Sequence, residues 1–285
     1  MTKQTIALQL DLPSVPNPQT AAFLELGTGE TILLLHGFMG NATCWLPLLE
    51  HLQTQLRCVA IDLLGFGDSA KPALKYNIAQ EVAFVRRFVE ARQLDNFYIM
   101  GHSFGGWVAA AYALAFPKSV QGLILAAPAG IRDDSFCGRY DHLRPILWDT
   151  PAIDWLLTLA TPFVTLTGQA ETLQKIRWMR RELMAQPAAR SFLMDRLRPE
   201  DAIDTVETQI YQLRVPTLVI TGDQDETIPL WHSQTYAQVI PTAKLVILPN
   251  ADHSLPQNHA PQLAEHIRQF LQEKDHSTQP NSVAT

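Results

Sequence analysis

A serine flanked by glycines, in the run Gly101-His102-Ser103-Phe104-Gly105-Gly106, stands where an apolar segment gives way to a helical one. Residues 97–100 before it suit a strand, and residues 107–114 after it are rich in strong helix formers. A sharp strand-to-helix turn forces its central residue into a strained conformation and requires small neighbours. The run therefore predicts a strand, a turn that carries Ser103 and a helix. The alternative is that Ser103 only caps the N-terminus of a helix, which the same sequence would also allow.

Short apolar segments alternate with helical patterns along the chain. The predicted strands are residues 32–35, 58–63, 97–100, 123–127, 217–221 and 245–248. Between two of them, apolar residues recur at three- and four-residue steps from Ile78 to Val89, which is typical of an amphipathic helix. This order predicts an α/β fold with a mostly parallel sheet and helices on both faces.

The alternation stops between about residues 130 and 213, where helical patterns are punctuated by prolines, and it resumes with the strand at 217. We therefore expect a core domain of residues 1–130 and 214–273 with an inserted helical cap of residues 131–213. A separate helical domain is the alternative. The polar residues 274–285 are predicted to form a disordered tail.

Composition excludes several classes of protein. Of 285 residues, 47% are hydrophobic, which supports a large core, and the formal net charge of -6 offers no basic field for nucleic acid. The three cysteines, Cys44, Cys58 and Cys137, have no paired spacing, which favours a reducing compartment. No signal peptide and no apolar run long enough to span a membrane is present, so a cytoplasmic location is predicted.

Two further segments, together with the serine run, resemble the α/β-hydrolase superfamily. His36-Gly37-Phe38 resembles the oxyanion segment of that family, and residues 62–69 resemble its D-x-P-G-x-G-x-S loop, with Leu64 in place of the proline. The similarity covers residues 31–130 and 216–271 and extends to the capped esterases, epoxide hydrolases and carbon–carbon bond hydrolases. It implies an α/β-hydrolase fold in which Ser103 is the nucleophile of a nucleophile elbow.

The resemblance also implies a base and an acid in the order Ser, Asp, His. His253 is the expected general base because it follows a strand, whereas His259 and His266 fall in a helical pattern. Its segment departs from the family pattern G-x-G-H at two positions, Asn250 and Asp252.

The expected acid is Asp225, which the family pattern G-x-x-D-x-x-x-P selects from a loop that also contains Asp223 and Glu226. The oxyanion hole would use the backbone amides of Phe38 and Phe104, with Met39 as the alternative to Phe38.

Several large residues of the inserted segment could either line a pocket or form its own core, and we expect the second. They are Trp148, Trp155, Leu156, Phe163, Trp178, Met179 and Met184. The basic run Arg177, Arg180 and Arg181 is expected to form a solvated helix face.

The predicted function is serine hydrolysis of a carboxylic ester or related small acyl substrate, without cofactor or metal. Ser103 argues against the dehalogenases and epoxide hydrolases, which use an aspartate at the elbow. Carbon–carbon bond hydrolases and triad-bearing synthases or haloperoxidases remain alternatives, as does a small-molecule receptor on the same fold. The oligomeric state stays open.

Overall fold

An eight-stranded sheet forms the centre of the protein in a computed structural model that describes residues 2–12, 15–136, 141–195 and 205–278. The strands are β1 Gln4–Leu8, β2 Gln19–Leu26, β3 Glu30–Leu35, β4 Leu56–Ile61, β5 Phe97–His102, β6 Val120–Ala126, β7 Thr217–Gly222 and β8 Ala243–Leu248. Their order is β1-β2-β4-β3-β5-β6-β7-β8. Strands β3 to β8 are parallel, and β2 and β1 add an antiparallel end. The α/β-hydrolase fold is confirmed.

The six predicted strands correspond to β3 to β8, whereas β1 and β2 were not predicted. Strand β1 is a mostly exposed edge strand, and β2 begins directly after a proline-rich segment that obscures its pattern. Strand β4 ends at Ile61, earlier than expected, so that Asp62 and Leu63 belong to the following loop.

Both faces of the sheet are buried, because successive side chains of a strand point to opposite sides. In β3, Leu33 and Leu35 pack into one apolar cluster with helices on the first face. Ile32 and Leu34 pack into a second cluster on the opposite face. This arrangement explains why the strands read as continuous apolar runs.

The helices surround this sheet. They are α1 Leu46–Leu52, α2 Ile78–Ala91, α3 Phe104–Ala115, α4 Pro151–Leu159, α5 Thr161–Leu166, α6 Ala170–Ala185, α7 Pro187–Asp195, α8 Leu230–Val239, α9 Leu255–Asn258 and α10 Ala260–Thr278. Short 3-10 turns lie at Ala42–Trp45, Asp134–Phe136, Asp141–Leu147 and Ile210–Gln212. Helix α10 continues to Thr278 because strong helix formers follow Phe270, so the ordered chain ends later than predicted. Residues 279–285 lie outside the described part.

Helices α4 to α7 form the segment inserted between β6 and β7, as the helical patterns predict. The expectation that its large apolar residues form its own core is wrong for most of them. Trp155, Leu156 and Phe163 are each more than half exposed, because α4 and α5 are short helices with one face turned outward. Trp148, which precedes α4, and Trp178 on α6 are also more than half exposed.

One basic residue of the inserted segment also departs from expectation. Arg180 is buried rather than solvated, and its guanidinium donates to both carboxylate oxygens of Asp154 at 2.8 and 2.9 Å. The pair joins α6 to α4. Cys137 lies outside the described residues, and Cys44 and Cys58 are free thiols.

Candidate active site

The loops that follow the parallel strands lie at one edge of the sheet, where the carboxyl ends of all six strands meet. Ser103 follows β5, Phe38 follows β3 after two residues, Asp225 follows β7 and His253 follows β8. Tertiary structure therefore brings to one edge residues that are spread over most of the chain.

Ser103 occupies the turn between β5 and α3 with φ 53° and ψ -117°. A non-glycine residue at positive φ is uncommon and stores strain, as expected for the predicted elbow. The glycines around Ser103 allow the backbone of α3 to approach the backbones of β5 and β3 closely. A Cβ on Gly101 would lie 2.0 Å from the Gly105 carbonyl oxygen, and a Cβ on Gly105 would lie 2.1 Å from that of Leu35.

Asp225 and His253 form a hydrogen bond in which Nδ1 of the imidazole is 2.7 Å from Oδ2 of the carboxylate. The Asp225 side chain is fully buried, and its Oδ1 also accepts from the amides of Thr227 and Ile228 at 2.8 and 2.9 Å. Burial alone would raise the pKa of Asp225, but His253 and the two amides outweigh it, so the pKa is lowered. The carboxylate is thus charged and fixed beside the imidazole.

The alternatives weighed from sequence lie elsewhere. Asp223 is exposed and accepts from the Ala251 amide, and Glu226 is exposed. His259 interacts with Asp252 through its Nε2, and His266 lies on α10. Of the candidate acids and bases, only Asp225 and His253 contact each other.

The two departures from the family pattern around His253 have local explanations. Asn250 has φ 55°, a left-handed conformation that glycine adopts freely and asparagine tolerates better than most residues. Asp252 accepts hydrogen bonds from the amide of Ser254 and the side chain of Asn258, which stabilises the turn into α9. With these residues in place, His253 Nδ1 is 2.7 Å from Asp225 Oδ2.

His102, which the sequence analysis did not single out, lies against His253. The ring centroids are 4.8 Å apart, and His102 Nε2 is 2.7 Å from the His253 carbonyl oxygen. Complete burial lowers the pKa of His102 to about 3, so the ring is neutral and its Nε2–H donates to that carbonyl. The only sequence signal is its position beside Ser103 at the end of a strand.

His36 joins two of the motif loops. Its Nδ1 is 2.8 Å from the Gly37 carbonyl oxygen, and its Nε2 accepts from the Leu63 amide at 2.9 Å. Burial lowers its pKa to about 4, so it is neutral with the proton on Nδ1. The histidine of the HG-x segment thus holds the segment itself and the loop after β4.

The amides expected to form an oxyanion hole belong to segments that face each other. A hydrogen bond from Gly40 N to Gly37 O closes a turn with positive φ at Met39. A Cβ on Gly37 would lie 3.3 Å from the Ser103 Cβ, so this turn adjoins the elbow. Phe104 begins α3, where a backbone amide has no intrahelical acceptor.

The loop of residues 62–69 is organised by Asp62. Its buried carboxylate accepts from the amides of Ala42 and Asp68 at 2.6 and 2.7 Å and from Lys3 Nζ at 2.6 Å. The Ser69 hydroxyl donates to the Asp62 carbonyl oxygen at 2.6 Å. The aspartate and serine of this motif are therefore structural.

Leu64 replaces the usual proline of this loop, and its amide, which a proline would lack, donates to Glu81 Oε2 at 3.1 Å. Glu81 lies on α2 and is completely buried. Burial raises its pKa well above the usual range, and the Leu64 amide offsets part of that. A buried carboxyl group, in surroundings that disfavour its charged form, therefore supports the loop.

Aromatic rings form the wall beside Ser103. The Phe104 ring packs against Phe38, Phe66, Trp107 and Phe192, with centroid separations between 5.0 and 6.2 Å. Phe192 belongs to α7, so the inserted segment covers the elbow. All four of these rings are uncharged, and the indole N–H of Trp107 is the one polar group among them.

Two kinds of feature are absent from the described residues. Over the ranges given above, no group of three or more His, Cys, Asp and Glu side chains is arranged to hold a metal ion. Nor does any helix in those ranges have the length and apolar character needed to cross a membrane.

The fold and the serine-bearing turn define a protein of the α/β-hydrolase class. The sequence model of the alpha/beta hydrolase family matches residues 32–266. A 2-hydroxymuconate semialdehyde hydrolase from Pseudomonas putida is 32% identical over 261 residues, which cover 88% of this chain and 90% of that protein. Human monoacylglycerol lipase ABHD6 is 27% identical over 260 residues, covering 86% and 76%. The chain belongs to the alpha/beta hydrolase family.

Solved structures support the same fold. A thermophilic esterase from Thermogutta terrifontis superimposes with a TM-score of 0.74 at 24% identity, covering 95% of this chain and 98% of that one. A meta-cleavage product hydrolase from Pseudomonas fluorescens gives 0.69 at 24% identity, covering 90% and 95%.

Proposed function

We propose that this protein is a serine hydrolase that cleaves a carboxylic ester through an acyl-enzyme, with Ser103, His253 and Asp225 as its catalytic triad. The observation that carries the proposal is the 2.7 Å hydrogen bond between His253 Nδ1 and buried Asp225, at the same sheet edge as the strained Ser103. A nucleophile, a base and an acid at the carboxyl ends of three parallel strands are the groups that acyl transfer requires.

In the proposed reaction, Ser103 Oγ attacks the ester carbonyl carbon while His253 Nε2 takes its proton. Asp225 stabilises the imidazolium and keeps the proton of Nδ1 in place. The amides of Phe38 and Phe104 donate to the oxyanion. The alcohol leaves with the proton from His253, and water, deprotonated by the same histidine, then releases the acid from Ser103.

The surroundings of Ser103 favour an apolar acyl chain. The rings on Phe104 supply an uncharged wall, and helices α4 to α7 act in this proposal as the cap that closes over it. Burying one large apolar group contributes about 1.5–3 kcal/mol to binding. Relatives include a monoacylglycerol lipase, whose substrate class fits such a wall.

Carbon–carbon bond hydrolysis is the second candidate, because a relative at 32% identity is a 2-hydroxymuconate semialdehyde hydrolase. That substrate carries a carboxylate, which a cation would normally stabilise when buried. The wall formed by Phe38, Phe66, Trp107 and Phe192 suits an apolar acyl chain better than a carboxylate, which supports the ester.

A cytoplasmic location remains a prediction. It is supported by the free thiols of Cys44 and Cys58, since unpaired cysteines persist in reducing compartments.

The test measures the hydrolysis of p-nitrophenyl esters of increasing acyl length, and of 2-hydroxymuconate semialdehyde as a second substrate. Both substrates are given to the wild type and to Ser103→Ala. Turnover of esters with an optimum chain length, lost in Ser103→Ala while its Tm is retained, is expected. Turnover of the semialdehyde alone would replace the ester by the second candidate. Ester turnover that survives in Ser103→Ala would refute the triad.

A further inference from the structure

An exposed apolar face covers α4 and α5 in the inserted segment. Five large side chains on it, Trp155, Leu156, Leu159, Phe163 and Leu166, are between 62% and 86% exposed. Isolated exposed apolar residues are ordinary, but a cluster of this kind on consecutive helices marks an interaction surface. We call these five residues the apolar face.

The chain around this face is free of charge. Residues 155–170 contain no acidic or basic residue and no histidine, although the whole chain has a formal net charge of -6. Two acids flank this stretch in the sequence: Asp154, which forms a bidentate pair with Arg180, and Glu171, which is exposed in the first turn of α6. On an acidic protein, an apolar surface whose own residues include no acid is unusual if that surface contacts only water.

Positive charge borders the apolar face on α6. Lys175 and Arg181 are exposed and stand three residues before and three after the exposed Trp178, so the three share one side of the helix. Within the described chain, neither Lys175 nor Arg181 lies within ion-pair distance of a carboxylate. Arg181 and Trp178 line a groove of about 910 Å³ against α4, on a side of that helix away from Trp155, Leu156 and Leu159. Helix α6, which carries the two cations, packs against α5, which carries Phe163 and Leu166 of the apolar face.

The helices that carry these side chains form a fixed platform. Arg177 on α6 donates to the Leu157 carbonyl oxygen at 2.6 Å and to the Thr161 hydroxyl at 2.7 Å. Arg180 joins α6 to α4 in the same way. The orientation of the apolar face is therefore maintained by partly buried hydrogen bonds between α6 and the helices α4 and α5.

We infer that this surface docks on a lipid membrane that contains anionic phospholipid. Helix α4 and α5 are too short to cross a bilayer, but an apolar face bordered by tryptophan and cations can lie in its interfacial region. The cations Lys175 and Arg181 match the lipid phosphates. Pairing of this face with a second copy of the chain is the alternative that the measurements below distinguish.

This inference goes beyond the proposed hydrolysis and does not depend on it, because docking requires no turnover. The measurement is co-sedimentation with sucrose-loaded vesicles of phosphatidylcholine, or of an equimolar mixture of phosphatidylcholine and phosphatidylglycerol. The wild type and Ser103→Ala are expected to bind equally, and more strongly to the mixture.

The apolar contribution is tested by the double variant Trp155→Ser/Phe163→Ser. Its matched control is Tyr211→Ser/Trp231→Ser, which removes two aromatic residues that are also exposed but lie outside the inserted helices. The first variant should lose affinity for both vesicles by about tenfold or more, because two large apolar side chains no longer enter the interface. The control should bind like the wild type.

The electrostatic contribution is tested by the double variant Lys175→Glu/Arg181→Glu. Its matched control is Lys75→Glu/Lys118→Glu, which replaces two exposed lysines elsewhere and changes the net charge by the same amount. Only the first should lose about tenfold or more of the binding to anionic vesicles, with little change on phosphatidylcholine.

Three results would overturn the inference. The wild type could fail to bind either vesicle, or each variant could behave like its control. A dimer in analytical ultracentrifugation that Trp155→Ser/Phe163→Ser dissociates, with vesicle binding unchanged, would assign the surface to self-association instead.

Discussion

The neutral imidazole of His102 donates from Nε2 to the backbone carbonyl oxygen of His253 at 2.7 Å, and the two rings lie 4.8 Å apart. Through this hydrogen bond, the strand that leads to Ser103 holds the loop that carries the proposed base. The residue before the serine is thus a positioning residue, because it acts on the backbone of His253 and is assigned no proton transfer.

Replacing His102 by leucine should lower kcat for ester hydrolysis by roughly tenfold or more, because a displacement of about 1 Å in a catalytic group is costly. KM should change little, since the acyl wall is untouched. His102→Gln, which keeps a donor, should recover part of kcat. His266→Gln, a histidine on α10, is the matched control, and an equal loss there would argue against a specific role for His102.

Asp225→Asn should lower kcat/KM by about 10⁴-fold, because an amide stabilises the wrong imidazole tautomer. Asp223→Asn lies two residues away on the same loop, is exposed, and should change the rate by less than about threefold, since surface substitutions have small effects. Steady-state kinetics on both variants checks this. Equal losses would move the acid role to Asp223 or to the loop as a whole.

Glu81 should make the protein less stable at alkaline pH. Its folded-state pKa is raised, so its contribution is fully present below the unfolded pKa of about 4.3 and is lost as the pH rises through the folded value. The slope reaches about 1.4 kcal/mol per pH unit between the two pKa values.

Glu81→Gln retains an acceptor for the Leu64 amide but cannot ionise, so its urea-unfolding free energy should lack this slope. If the free energies of unfolding of wild type and variant instead changed equally with pH, the pKa of Glu81 would be the same in the folded and the unfolded protein, and this prediction would be wrong. Glu182→Gln, on α6, controls for the loss of one negative charge.

Gly105→Ala should reduce the free energy of unfolding by about 3 kcal/mol, because its Cβ would meet the Leu35 and His36 carbonyl oxygens at 2.1 and 2.5 Å. Gly168→Ala is the control. It has φ 73° but open space around it, so only the conformational cost of about 1 kcal/mol applies. Denaturant titrations that give the same loss for both would contradict the close approach at the elbow.

Asn250→Gly should leave stability within about 0.5 kcal/mol of wild type, whereas Asn250→Ala should cost about 1 kcal/mol, because alanine tolerates φ 55° less well. Thermal unfolding of the two variants separates them. A larger loss for glycine than for alanine would mean that the asparagine side chain, not its backbone, is what the loop requires.

Much of the fold could be predicted from local patterns. The six parallel strands, the interruption by helices and the turn at Ser103 all follow from hydrophobic periodicity and from glycines where backbone must approach backbone. Strands β1 and β2 could not be predicted in this way, because an exposed edge strand and a strand after clustered prolines have weak periodicity. The large residues of α4 to α6 were misplaced, since composition alone does not tell whether a helix face finds a partner.

The sequence by itself determined the class of fold and the residue types available for chemistry, because both depend on short-range spacing. Only the tertiary structure decided which of three acids contacts which histidine, since Asp225 and His253 meet through the pairing of β7 with β8. It alone assigned His36 and His102 to holding loops, and it alone left Trp155 and Phe163 on the outside. These outcomes depend on contacts between residues far apart in the chain, which local propensity does not encode.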